Sequence, residues 1–184
     1  MFLNNGNTLI GSGNWCFTRE LPQPDFAGKV RSQDTWVHMN AEEACDISPT
    51  MFKELILPYQ KRIAKEFGLI YYGCCEPTSK FWDDGIETIE NVRKVSISPW
   101  CDEAFMGERL RGTGVTFLRK PPATILGMDT PALDEDATLN CFRKTGKAAR
   151  DCKIEIIQRD VYRVGSSAKK VRRFVELARK GLEG

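Results

Sequence analysis

Hydrophobic positions in this chain switch repeatedly between a spacing of two and a spacing of three or four, and each switch marks a change of element. The run "SPTMFKELILPYQKRIAKEFG" sets Phe52, Leu55, Ile56, Tyr59, Ile63 and Phe67 three or four residues apart, which predicts an amphipathic helix. Ser48 is placed to cap it, Pro49 fits its first turn, Pro58 should kink it and Gly68 should end it. β-rich runs flank the helix, one over Thr35–Met39 and "LIYYGC" directly after it. The rhythm continues with a short helix in "SKFWDDGIETI", a strand in "NVRKVSISP" and a helix in "CDEAFMGERLRG" capped by Asp102. A strand in "VTFLRKP", a polar helix from about Asp134 to Ala149 and a strand in "KIEIIQRD" follow. The closing helix carries Val171, Phe174, Val175, Ala178 and Leu182 along one stripe. Residues 1–34, rich in Gly, Asn and Pro, predict a short strand plus a long loop.

Repeated strand–helix units imply an α/β fold, with parallel strands under outer helices in a single domain over residues 1–184. An open doubly wound sheet and a (β/α) barrel both satisfy that pattern. Polar residues inside the strands favour the barrel. Glu155, Ile157 and Arg159 share one face of the last strand, while Ile154 and Ile156 share the other and should lie under the helices. A complete barrel of this type needs about 250 residues, and five or six strands are legible here. The expected fold is therefore a partial TIM-type barrel with its N-terminal strands missing. Its open edges predict self-association or pairing with a separate N-terminal half.

Composition narrows the classes of function. A net charge of +2 with dispersed Lys and Arg gives no footing for a nucleic acid partner. Apolar runs are too short to cross a bilayer, so no membrane partner is expected. "MFLNNGNTLIG" lacks the pattern of a secretory leader, and seven cysteines without framework spacing suit reduced thiols. A cytoplasmic location is the expectation.

In parallel α/β folds, ligands bind beyond the carboxyl ends of the strands. Those ends carry His38 with Glu42 and Glu43; Tyr72, Cys74, Cys75 and Glu76; Ser98, Trp100 and Asp102; Arg119 and Lys120; Arg159 and Asp160. Such a mixture suits a small organic substrate with carboxylates and an apolar body. Tyr72, Glu76 and Asp102 are the expected catalytic and positioning groups. Trp100, Lys120, Arg159, Asp160 and His38 are the expected substrate contacts. Arg119 and Lys120 alternate faces, so only one should reach the mouth.

Cys74 and Cys75 are the candidate metal ligands. Neighbours on an intact strand point to opposite faces, so both can hold one ion only where the strand breaks. A third ligand would come from His38, Glu76 or Cys101. The alternatives are one buried and one loop thiol, or a nucleophilic cysteine with His38 as its base.

"ISPTMFKELILPYQKRIAKEFG", "YYGCCEP", "VRKVSISPWCD", "FLRKPPA" and "IEIIQRD" together resemble the C-terminal portion of uroporphyrinogen decarboxylase-like proteins, over nearly the whole chain. The likeness is to the branch near the corrinoid-dependent methyltransferases. It implies a (β/α)₈ barrel. Decarboxylases of the family work without a cofactor, through an aspartate and basic groups, and that aspartate belongs to the N-terminal half. The methyltransferase relatives hold zinc through a His-x-Cys pair and a later cysteine, and use it to activate a thiol for methyl transfer. Cys74 matches the cysteine of the pair, but Tyr72 stands at the histidine and "QRDVYR" where the later cysteine belongs. Glu42, Cys75 or Glu76 are the available substitutes. The resemblance thus implies zinc as cofactor, a corrinoid protein as indirect partner and methyl transfer as reaction. Decarboxylation of a tetrapyrrole-type acid gripped by Lys120 or Arg159 is one alternative, and a non-catalytic partial barrel or subunit is another.

Overall fold

Chain order and sheet order coincide in this protein. The computed structural model describes residues 8–10, 14–16 and 18–183. Strands β3 (Trp36–Met39), β4 (Leu69–Tyr72), β5 (Val92–Ile97), β6 (Thr116–Arg119) and β7 (Lys153–Ile156) form one five-stranded sheet in the order β3-β4-β5-β6-β7. The registers of β3 on β4, β4 on β5 and β6 on β7 are all parallel. An order without reversal has no switch point of the doubly wound kind. Parallel strands alternating with helical segments, as the sequence pattern predicts, make this a partial β/α fold. Ahead of the sheet, the expected single strand is a pair: β1 (Thr8–Ile10) runs antiparallel to β2 (Asn14–Cys16). The chain divides into two compact units, residues 1–96 and 97–184.

In the first unit the long helix forms as two. Ser48 Oγ accepts from Met51 N at 3.1 Å and Pro49 opens α1 (Pro49–Leu55), but α2 (Leu57–Ala64) starts afresh after Ile56, whose φ is −116°. Pro58 explains the break, since it lacks the N–H that would bond to Glu54 and its ring crowds that carbonyl. The break also decides which residues face inward. Phe52, Leu57, Gln60 and Ala64 are buried, whereas Leu55, Tyr59 and Ile63 of the predicted stripe are exposed. Phe52 stacks on Phe81 at 4.6 Å between ring centroids. Gly68 does not cap the helix, which ends at Ala64. It opens β4 at a point where a Cβ would collide with the Gln33 carbonyl and the Leu21 side chain.

"SKFWDDGIETI" is not a helix but two 3-10 turns, Thr78–Phe81 and Ile86–Thr88, separated around Asp84, whose φ of 54° is left-handed. The loop before β3 is tied by Asp34, a wholly buried carboxylate that accepts from the backbone N–H of Gln23 and Arg31 and from Arg31 Nε at 2.9 Å. Arg31 holds its carboxyl down at about 2.

One extra residue sets the faces of β5. Ile70 pairs with Val92 and Tyr71 with Lys94, so Arg93 bulges out between them. The bulge aligns His38, Tyr71 and Lys94 across three strands. Tyr72 is on the opposite face, where its hydroxyl donates to Gln60 of α2 at 2.8 Å. The helix side of this sheet is thus the Ile70 and Tyr72 face, and the buried Lys94 and Ser96 belong to the other.

The second unit packs α3 (Glu103–Leu110), α4 (Glu135–Ala148) and α5 (Ala168–Glu183) with β6 and β7. Asp102 Oδ1 accepts from Phe105 N, the expected N-cap, and Asp134 Oδ1 caps the next helix by accepting from Ala137 N, each worth about 1 kcal/mol. Leu126, Phe142, Phe174 and Ala178 form a core cluster against which Ile156 packs, as its predicted face requires. The buried stripe of α5 is Phe174, Leu177, Ala178 and Gly181, leaving Val171 and Val175 at its exposed margin.

Candidate functional site

The carboxyl end of β4 is where a strand break gathers ligand atoms. The chain leaves β4 at Gly73 with φ of 92°, a conformation costly for any residue with a side chain. A Cβ there would also lie 2.7 Å from Thr78 Cγ2 and 3.0 Å from Ser96 Cβ. Beyond this break Cys74 and Cys75 no longer point apart, and their Sγ atoms are 3.6 Å from each other. Glu42 comes from the 3-10 turn Glu42–Ala44 that follows β3. The ligand atoms of Glu42, Cys74 and Cys75 all lie within 4.8 Å of one another.

Hydrogen bonds hold this loop on several sides. Glu76 is buried, and its carboxylate bridges two backbone N–H groups, Ala41 N to Oε1 at 2.9 Å and Cys74 N to Oε2 at 2.7 Å. It therefore positions one ligand directly and another through the residue before Glu42. Ser96 Oγ donates to the Cys74 carbonyl at 2.8 Å, and Thr78 Oγ1 donates to the Ser96 carbonyl at 2.7 Å. His38 Nε2 lies 3.1 Å from the Gly73 carbonyl, which can only accept, so this nitrogen carries the proton. The His38 ring stacks on Tyr71 at 4.7 Å.

Burial pushes the nearby Cys45 thiol up, the carboxylates of Glu76, Asp46 and Glu42 push it further, and Lys80 pulls the other way.

Tyr72 has no part in this cluster. It is wholly buried on the helix side, and desolvation drives its hydroxyl well above the ordinary phenol range even though Gln60 pulls the other way. His38 and Glu76 adjoin the ligand loop but are not members of the three-residue group.

In the second unit the strand ends serve two purposes. Arg119, at the end of β6, is buried with Glu103 at 2.6 Å, and its Nη1 donates to the carbonyls of Ile97, Ser98 and Lys120. Thr145 Oγ1 donates to Glu103 Oε2 at 2.7 Å. This network ties β6 to α3 and α4. Lys120 is also wholly buried. Trp100, Arg159 and Asp160 do come together, lining with Pro99, Pro121 and Pro122 a cleft of about 320 Å³. Arg159 Nε is 2.7 Å from Asp160 Oδ2. Asp102, besides capping α3, lines with Trp100 a larger cleft of about 760 Å³. Cys101 lies in this unit, its Sγ 3.5 Å from Ser98 Oγ.

Sequence reasoning assigned Glu76 to the substrate or a metal, whereas its carboxylate is bound to the backbone of Ala41 and Cys74, and it missed the supports Thr78 and Ser96. A carboxylate two residues past a thiol was a visible signal, but its direction depended on Gly73. No protein-family model, curated protein or solved structure matches the chain. Within the described residues no helix is long and apolar enough to cross a membrane.

Proposed function

We propose that this protein is a zinc-binding member of the partial-barrel, uroporphyrinogen decarboxylase-like type, working in corrinoid-linked methyl transfer with Glu42, Cys74 and Cys75 as its metal ligands. The observation that carries the reading is the convergence of those three ligand atoms at the end of β4. Their fit to zinc is supported by one distance. Two thiolates bound at about 2.3 Å with tetrahedral geometry sit about 3.8 Å apart, and the Cys74–Cys75 separation is 3.6 Å. Three protein ligands leave one position for a substrate, the pattern of catalytic rather than structural zinc. Zinc held there supplies Lewis-acid chemistry, lowering the pKa of an acceptor thiol so that it takes a methyl group more readily.

The chain's own residues set the stage for that chemistry. Glu76 fixes the Cys74 backbone, and Ser96 and His38 hold the carbonyls of Cys74 and Gly73. The ligand loop is thereby preorganised. For decarboxylation the side chains offer less, because Lys120 is wholly buried and Arg159 is paired with Asp160.

Metal analysis of protein purified without chelator tests the ligand set. About one zinc per chain is expected, with loss in Cys74→Ser, Cys75→Ser and Glu42→Gln. Stoichiometric zinc retained in all three variants would exclude these ligands. Demethylation of methylcobalamin in the presence of small thiols tests the reaction, and a zinc-loaded protein without that activity would leave a metal site of another purpose.

A further inference from the structure

Metal ligation is not the only chemistry open to the loop after β4. Cys74 and Cys75 are adjacent in the chain, both are partly exposed, and their Sγ atoms lie 3.6 Å apart. Neighbours on an intact strand point to opposite faces, so two thiols this close are the product of the turn at Gly73 and not of adjacency alone. That turn is fixed from outside the pair. Glu76 accepts from Cys74 N, Ser96 Oγ donates to the Cys74 carbonyl, and Thr78 and Ser96 close in on Gly73. We propose that Cys74 and Cys75 form a reversible vicinal disulfide when the protein meets hydrogen peroxide, which makes this loop a site of oxidative modification.

The reaction balances in two steps. One sulfur attacks the peroxide and the O–O bond breaks; one oxygen stays as a sulfenic acid and the other leaves as water. The second sulfur then attacks the sulfenic sulfur, an S–S bond forms, and the hydroxyl leaves with the thiol proton as a second water. The two sulfurs together lose two electrons, and the peroxide gains them. The peptide joining the pair is trans, and Cα atoms across such a bond are about 3.8 Å apart. Ordinary disulfides span about 4.4–6.8 Å between Cα atoms, so this ring closes under strain and belongs to the readily reduced class. Small thiols therefore reverse the modification, whereas a sulfenic acid without a partner proceeds to the irreversible sulfinic acid. The inference does not rest on zinc binding. Where zinc is held, the same bond would remove two of its three ligands.

Trypsin isolates the pair, because the peptide Glu66–Lys80 carries Cys74 and Cys75 and no other cysteine. The full chain, freed of metal by a chelator, is treated with stoichiometric hydrogen peroxide, its remaining thiols are alkylated in denaturant, and the digest is weighed by mass spectrometry. The peptide should be lighter by two hydrogens and carry no alkyl group, and glutathione should restore two alkylatable thiols. The ratio of this product to sulfinic acid should be about tenfold higher in the folded chain than in urea, because the fold holds the second sulfur in place. Cys74→Ser and Cys75→Ser should each abolish the mass loss, and dimedone should tag the sulfenic acid stranded in at least one of them. Equal ratios in folded and unfolded protein would overturn the proposal, as would a doubly alkylated peptide or one cross-linked to the peptide that carries Cys45. Added zinc separates this inference from the metal reading. Protection is expected of a zinc site, whereas a mass loss indifferent to zinc would count against the metal and leave the disulfide standing.

Discussion

The ends of β4 and β6 both collect charged and polar side chains, yet they put them to opposite uses. At β6, Arg119 directs its guanidinium to Glu103 and to backbone carbonyls, and the side chains are 4% and 11% exposed. The charges there satisfy one another and bind β6 to the helices behind it. At β4, the buried carboxylate of Glu76 is turned on the backbone, and the partly exposed thiols with Glu42 converge on a common point. What separates them is that an arginine and a glutamate pair at the end of β6, whereas two thiols and a carboxylate, all potential metal ligands, gather at the end of β4.

Removing one member of each arrangement sharpens the contrast. Arg119→Met should have the largest effect. It leaves Glu103 buried without its counter-charge, and urea unfolding should show a loss of about 3–5 kcal/mol. A loss below about 1 kcal/mol would mean that the pair is solvated and the network incidental. Glu76→Ala comes next. One buried and one part-buried N–H lose their acceptor, at a cost of about 1–3 kcal/mol, and under the zinc-binding function proposed above zinc affinity should fall about 10- to 100-fold because Cys74 loses its support. Unchanged stability together with unchanged zinc affinity would remove Glu76 from any positioning role.

The smallest effect concerns Asp34, which contributes to stability alone. Its carboxyl is held at about 2 in the folded protein against an ordinary value of 3.8, chiefly by Arg31. A depressed pKa means that the unfolded chain binds the proton more readily. The stabilisation is therefore complete above about pH 4 and is lost as pH falls toward 2. Asp34→Asn should unfold at lower temperature than wild type at neutral pH, and the gap should close across that window. A gap independent of pH would show that the hydrogen bonds, not the charge, do the holding.

Much of the fold was legible. Ser48, Pro49, Asp102 and Asp134 mark helix starts where the structure has them, since capping is a local bond between near neighbours. Alternating strands and helices gave the parallel sheet. Two readings went astray at a local irregularity. The helix breaks at Ile56, and Leu55, Tyr59 and Ile63 of the expected stripe are exposed. Asp84 splits an expected helix into turns.

The site follows the same division. The sequence by itself determined that two thiols and an acid follow a strand, and that Pro49 and Ser48 open the next helix after Glu42. It also determined the small net charge and the alternation of elements, because these depend on residues close in the chain. Only the tertiary structure decided that Gly73 turns the thiols toward each other, that Glu42 joins them from 32 residues away in the chain, and that Tyr72 faces a helix instead. Those outcomes rest on the left-handed backbone at one glycine and on hydrogen bonds between distant segments, and neither is encoded in any short window.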